Sequence, residues 1–306
     1  MTCFHPQKAF RKARPNPKTG KYPVVIVKRS SKEPGLIELP CGQCIGCRLD
    51  RSKAWAIRCM HEIQIQQEKY GKGSCFITLT YNDRNLPPDG QLEKSDFQLF
   101  LKRLRKNTKA KIRYYHCGEY GEKFSRPHFH ALLFGYVPED LRFHSYENKL
   151  PVYTSAIISK AWRDQGFALV GSATFESAAY IARYILKKQN GKKATEHYTN
   201  EDGVCLNPEY TTMSLKPGIG AEYYEKYKKE IYTTDSVVLK GQELPPPKFY
   251  STKYEIENPE HYELIKQERQ RKVAKYAKDL TPERLGARER VQSARLGQLP
   301  RQMEKT

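Results

Sequence analysis

The stretch Arg126–Gly135, RPHFHALLFG, sets two histidines on either side of one phenylalanine inside an apolar run. Phe129, Ala131, Leu133 and Phe134, closed by Gly135, predict a buried strand. Side chains alternate along a strand, so His128 and His130 leave one face while Phe129 and Ala131 leave the other. Two imidazoles one pleat apart can share a cation. They can equally be two hydrogen-bonded histidines of a sheet, and this stretch alone leaves both readings open.

The neighbouring segments supply a sheet. CFITLTYND (75–83) and KIRYYHC (111–117) are rich in β-branched and aromatic residues and read as strands. GEYGEKFSRP is a turn-rich link into the histidine strand. FQLFLKRLRK (97–106) is an amphipathic basic helix, with Ser95 and Gln98 placed to form a capping box. A helix near 154–164, a strand FALVGSAT (167–174) and a helix from about 177 to 188 follow. This order predicts an α+β fold: an antiparallel sheet with helices mainly on one face and the other face free for chemistry. Upstream lie a strand at Tyr22–Lys28 and a helical pattern from Cys44 to Tyr70. The chain is expected to divide into an N-terminal segment (1–70), a core (71–190) and a basic, partly flexible extension (191–306).

The 306 residues carry a formal charge of +20 and 21 tyrosines. Excess positive charge predicts a polyanionic partner, nucleic acid first and an anionic membrane surface second. Aromatic rings among cations suit single strands, where bases stack. No apolar run is long enough to span a bilayer, and MTCFHPQKAFRKARP lacks the apolar centre of a signal peptide. A cytoplasmic protein is expected, and its eight cysteines are then thiols or metal ligands. Cys41, Cys44 and Cys47 in CGQCIGC lack the fourth cysteine of a ferredoxin run and suit structural zinc better. Cys3 is the preferred fourth ligand; His5 and Cys59 are alternatives, and reduced thiols without metal are the plain reading.

YIARYILKK (180–188) carries the second candidate group. At 100° per residue, Ala178, Ile181, Ala182 and Ile185 form an apolar face, while Tyr180, Tyr184 and Lys187 fall together opposite it. A tyrosine hydroxyl beside a metal can attack a phosphodiester, keep the 5′-phosphate and release a 3′-hydroxyl. Glu119, in CGEYG, is the preferred third ligand beside the two histidines, and Glu122 the alternative. Two nitrogens and a carboxylate suit Mn²⁺ or Mg²⁺, with Zn²⁺ also possible on these donors.

Taken together, FITLTYND, GEYG…RPHFHALLF and YIARYILKK resemble, in order and spacing, the three motifs of HUH-type rolling-circle replication initiators. With CGQCIGCRLDRSKAWAIRC and KPGIG they look most like the initiators of gokushovirus-type microviruses, over roughly residues 40–250. The resemblance implies an HUH endonuclease fold built on a five-stranded antiparallel sheet of ferredoxin-like or RRM-like topology. It implies a metal-dependent nickase with His128, His130 and Glu119 as ligands, Tyr180 and Tyr184 as nucleophiles and Lys187 beside them. The expected partners are single-stranded DNA and a replication origin. No phosphate-binding G-x-x-x-x-G-K-[ST] loop is present, so a host helicase and polymerase are expected to drive synthesis in the bacterial cytoplasm. Lys102, Arg103, Arg105 and Lys106 are candidate phosphate contacts, with a solvated helix face as the plain alternative. Two rival functions stay open: a plasmid initiator or relaxase of the same chemistry, and a non-enzymatic single-strand binding module.

Overall fold

The computed structural model describes residues 3–17, 22–28, 31, 34–121, 125–147, 149–187, 195–196, 198–200 and 203–298, with the backbone alone at 183–187. The chain forms two compact units, Ser52–Tyr262 with Pro300–Thr306, and Met1–Arg51 with Glu263–Leu299. In chain order the elements that matter are β1 (Gln7–Arg11), β2 (Val24–Ile26), β3 (Ile37–Leu39), α1 (Ile45–Tyr70), β4 (Ser74–Thr80), α2 (Lys94–Thr108), β5 (Arg113–Tyr120) and β6 (Pro127–Phe134). They continue with β7 (Arg142–Glu147), β8 (Leu150–Thr154), α3 (Ala156–Trp162), β9 (Ala168–Ser172), α4 (Phe175–Lys187) and β10 (Tyr210–Met213).

The larger unit is an α+β structure around one seven-stranded sheet of order β10-β5-β6-β4-β9-β8-β7, antiparallel at every described pairing. Seven strands replace the expected five. The hairpin β7–β8 and the strand β10 were the elements hidden from periodicity. β7 is largely exposed on both sides, so it carries no clean apolar alternation. β10 is a four-residue edge strand, YTTM, without a buried side chain.

Period-two alternation sorts the central strands onto two cores. Cys75, Ile77 and Leu79 of β4 join Phe129, Ala131 and Leu133 of β6 on one face. Phe97, Phe100, Leu101 and Leu104 of α2 and Ile158, Ala161 and Trp162 of α3 cover them. Phe76, Tyr115, Cys117, Leu132 and Phe134 point the other way, under Ala56 and Cys59 of α1 and Ala178, Ile181 and Ala182 of α4. Helices therefore cover both faces, which corrects the expectation of helices mainly on one. The cause is legible in β6: Leu132 and Phe134 are apolar at alternate positions to Leu133, so neither face can be left in water. The capping box is also corrected. α2 begins at Lys94 behind Glu93, which makes no side-chain cap, and Asp96 accepts a hydrogen bond from the Tyr81 hydroxyl.

Two buried histidines of this unit make its stability depend on pH. His61 stacks on Tyr223 at 3.6 Å with Nδ1 2.9 Å from the Tyr250 hydroxyl, and burial lowers its pKa to about 3. His116 stacks on Phe97 at 3.5 Å, and burial pushes it well below the imidazole range. Both stay neutral in the fold while the unfolded chain takes up their protons below a pKa of about 6.5. The unfolded state then binds more protons, so stability rises with pH in this window and is lost on acidification. Urea unfolding is expected to show about 2–3 kcal/mol less stability at pH 5.5 than at pH 7, and His61→Gln to remove about half of that loss. A pH-independent midpoint across this window contradicts the assignment.

The smaller unit has a three-stranded antiparallel sheet of order β2-β1-β3. A compact core holds Cys3, Phe4, Cys44, Cys47 and Leu285, with Leu280 packed against it, so it joins the beginning of the chain to the helix Pro282–Gly297. His5 Nε2 also lies 2.7 Å from Glu289 on that helix. No described helix is long and apolar enough to cross a membrane.

Candidate functional site

β5 and β6 pair so that Glu119 faces His128 and Cys117 faces His130. Alternation places these side chains on the face covered by α1 and α4, while Phe129 stays in the opposite core. The two imidazole planes lie within 3° of parallel, with centroids 6.3 Å apart. Gly121, at the end of GEYG, has no side chain for a reason: a Cβ there would stand 2.9 Å from His128 Cε1.

Each ring is oriented through its Nδ1. His128 Nδ1 lies 2.6 Å from the Arg126 carbonyl, which can only accept, so Nδ1 carries the proton and Nε2 keeps its lone pair. Burial first, and the His130 charge second, push His128 below the usual imidazole range and keep it neutral. His130 Nδ1 lies 3.0 Å from Thr78 Oγ1, its ring stacks on Phe76, and its Nε2 is 2.7 Å from Glu119 Oε1. The Tyr180 hydroxyl donates to the same Glu119 oxygen at 3.2 Å, and its ring meets His130 edge-on at 5.0 Å. His130 is 2% exposed and Tyr180 4%, so this group is shielded from bulk water.

The structure thus brings Glu119, His130 and Tyr180 together, with His128 beside them. Tyr180 lies within the second core as well as on the carboxylate, so the polar side of α4 read from the helical wheel is covered too. Tyr184 and Lys187 lie on α4, with side chains outside the described part; Glu122 lies outside the described residues altogether. Thr78 went unnoticed, although its position shows it. In CFITLT it alternates with the buried Ile77 and Leu79, which places a hydroxyl on the histidine face. Two imidazoles presenting Nε2 and one carboxylate fit a divalent cation by donor chemistry. Replacing Thr78 with valine keeps the shape and removes the hydroxyl. The manganese concentration needed for half-maximal activity is expected to rise about 10–100-fold, and an unchanged requirement excludes this orienting role.

Of the candidate phosphate contacts, Lys102 and Lys106 are exposed on α2. Arg103 donates to the Ala161 carbonyl at 2.6 Å and Arg105 to the Ile112 carbonyl at 3.1 Å, so both anchor the fold. α2 covers the sheet face opposite the histidines.

In the smaller unit Cys3, Cys41, Cys44 and Cys47 have sulfur atoms all within 4.8 Å of one another, a closeness that no other group of three or more His, Cys, Asp or Glu reaches among the described residues. Neither His5 nor Cys59 is in this group. Backbone N–H groups of Phe4, Cys41 and Cys44 point at sulfurs of Cys44, Cys3 and Cys41 at 3.3, 3.2 and 3.3 Å. Burial raises the Cys44 thiol, but backbone donors at Cys47 and Phe4 outweigh it and bring it down to about 7. Burial holds Cys3 and Cys47 above the thiol range. Four crowded sulfurs cannot all ionise without a cation among them. The Cys3–Cys44 sulfur separation is 3.9 Å. A tetrahedron with metal–sulfur bonds of about 2.3 Å has an edge of about 3.8 Å. The quartet can hold a metal.

An antiparallel α+β sheet that buries a tyrosine, a carboxylate and histidines on one face, beside a separate four-cysteine cluster, sets the class within which the comparisons fall. A family model for replication-associated proteins of the ORF2 type matches residues 74–189, from β4 through α4, and so contains Glu119, His128, His130 and Tyr180. The chain is 36% identical over 273 residues to the replication-associated protein VP4 of Bdellovibrio phage phiMH2K, covering 86% of this chain and 80% of the relative. It is 35% identical over 252 residues to the replication-associated protein ORF2 of Spiroplasma virus 4, covering 78% and 74%. The replication-associated protein ORF4 of Chlamydia phage 1 is 28% identical over 222 residues, covering 69% of this chain and 52% of the relative. The chain belongs to the replication-associated proteins of microviruses. No solved structure matches it.

Proposed function

We propose that the chain is an HUH-type DNA nickase and strand transferase that starts and ends rolling-circle replication of a single-stranded DNA phage genome. The meeting of Glu119, His130 and Tyr180 at 2.7 and 3.2 Å on one sheet face carries this reading. It puts a nucleophilic hydroxyl against an acceptor carboxylate beside a ligand set.

In this reading a tyrosine oxygen attacks a backbone phosphorus. The new O–P bond forms as the bond to the 3′ oxygen breaks, the phenol gives up its proton and the leaving 3′ oxygen gains one. The chain keeps the 5′-phosphate, and the reverse step with a 3′-hydroxyl reseals the strand. Glu119 already accepts the Tyr180 proton in a hydrogen bond. The Arg126 carbonyl and Thr78 hold the imidazoles in place. Tyr184, one turn along α4, is the second nucleophile, and Lys187 stabilises the phenolate charge. Magnesium or manganese held by Glu119, His128 and His130 supplies stabilisation of charge on the non-bridging oxygens. Residues 71–190 are the catalytic core, Lys102 and Lys106 are phosphate contacts, and the cysteine quartet holds structural zinc. A host helicase and polymerase extend the freed end in the bacterial cytoplasm.

The phage relatives favour this reading over a plasmid initiator. A non-enzymatic binding module would offer its rings to bases; the burial of His130 and Tyr180 favours chemistry instead. The test is incubation of the full chain with end-labelled single-stranded origin DNA and Mn²⁺. A protein–DNA adduct that survives detergent and disappears with EDTA is expected, and its absence from the wild-type chain rejects the reading.

A further inference from the structure

The charge of this protein is not spread evenly. Met1–Arg51 and Glu263–Leu299, less than a third of the chain, hold 21 Lys and Arg against 8 Asp and Glu, a net +13 of the total +20. The bland reading of a basic surface is solvation, and three features of this unit count against it.

The first is the helix Pro282–Gly297. Arg284, Arg288 and Arg295 fall within about 40° of one another on its wheel, a stripe about 16 Å long, and all three are exposed. Leu285, set off from that stripe, is the buried residue. Arg284 pairs with Asp279 at 3.2 Å, whereas Arg288 and Arg295 have no ion pair among the described residues. The second is β1 and its surroundings. Arg11, Lys12 and Arg14 are exposed there, and so are two rings, Phe10 at 38% and Tyr22 at 51%. Exposed rings among cations form stacking platforms for unpaired bases, and duplex DNA gives them nothing to stack on. The third is rigidity. The Cys3–Cys41–Cys44–Cys47 cluster and the Leu285 contact tie the start of the chain to the arginine helix. These charges are therefore held in place, unlike those of a solvated tail.

We propose that the smaller unit is a second DNA-binding module, one that takes single-stranded DNA through its phosphates and bases without reading sequence. It rests on the single-strand DNA reading for its ligand but needs no cleavage. It gives the chain a grip on the strand that does not depend on the Glu119–His130–Tyr180 site. Such a grip suits a protein that must stay with one strand between cutting and resealing.

The test uses the full chain and a fluorescent oligonucleotide that lacks the origin, single-stranded in one arm and duplex in the other. Dissociation constants are measured by anisotropy over a range of salt for wild type, for Arg11→Gln/Arg14→Gln/Arg288→Gln/Arg295→Gln and for Phe10→Ala/Tyr22→Ala. Each phosphate contact contributes about 0.7 to the salt slope on a single strand, so the fourfold variant is expected to lose about 2–3 from it. The aromatic variant is expected to weaken single-strand binding at least tenfold and leave duplex binding unchanged. A salt slope equal to wild type, or a loss confined to the duplex, overturns the proposal. Equal metal content and an equal urea midpoint in each variant show that the fold is retained. The outcome is independent of the nickase reading, which stands or falls on the adduct.

Discussion

A Tyr180→Phe/Tyr184→Phe chain is expected to form no covalent adduct, at least about 10³-fold below wild type, while still binding the origin strand. The replacement removes two oxygens and keeps both rings. The Tyr180 ring packs on Phe76 and His130. Losing its hydroxyl removes one hydrogen bond to Glu119, a change of about 1 kcal/mol in stability, and leaves the 2.7 Å His130 contact standing. Loss of activity can therefore be separated from loss of fold. The companion change is Glu119→Gln, whose amide oxygen still accepts from Tyr180 but carries no charge. Removing one preorganised electrostatic contact from a site shielded from water typically costs about 10²–10³ in rate. Adduct formation should fall by that factor while the urea midpoint stays near wild type. An undiminished adduct in the double tyrosine variant means that another nucleophile does the chemistry. An undiminished rate in Glu119→Gln means that the buried carboxylate merely fills space between His130 and Tyr180.

The histidine face was open to reading because β6 is a single strand whose two sets of side chains differ in kind. Phe129 and Ala131 had to go one way, and the imidazoles then had no choice. What lay across that face was less open. Leu132 and Phe134 already called for a covering layer, but which helix supplied it depended on contacts from residues 56 and 178–182, far apart in the chain. The same limit hid the edges of the sheet. β10 pairs Thr211 with Cys117 across nearly a hundred residues, and no local period announces such a partner. β7 and β8 belong to a hairpin that contributes little to either core, and exposure erased the alternation that marks β4 and β6. The helix α2 shows a different failure. Ser95 and Gln98 satisfied a local rule, but Tyr81 engages Asp96 in the first turn and the helix starts at Lys94. The cysteine cluster was more favourable. Three of its members stand within seven residues, and Cys3 was singled out because tying down the N-terminus was a plausible use for a fourth ligand. Its sulfur now lies with theirs.

That cluster supports the second large effect. Wild-type protein is expected to contain one zinc per chain, and Cys44→Ser close to none. Cys44 is the thiol whose ionisation the backbone favours most, at about 7, and Phe4 and Cys47 donors are already aimed at it. Serine cannot become the thiolate that zinc takes, so the remaining three sulfurs lose the site's most readily ionised member. The smaller unit has only a few buried side chains around its sulfurs, Phe4 and Leu285 chief among them. A small core of this kind depends on metal for most of its stability, and structural zinc contributes about 10–16 kcal/mol where it is needed for folding. Limited proteolysis should therefore cut Cys44→Ser within the segments 1–51 and 263–299, while the sheet of the larger unit resists. Adding zinc should protect wild type stripped by chelator and leave Cys44→Ser cleavable. If the variant retains a full equivalent of zinc, the quartet is not the site. If metal-free wild type resists protease as well as the native chain, packing of Leu285 and Phe4 is enough, and the four thiols are core residues that happen to meet.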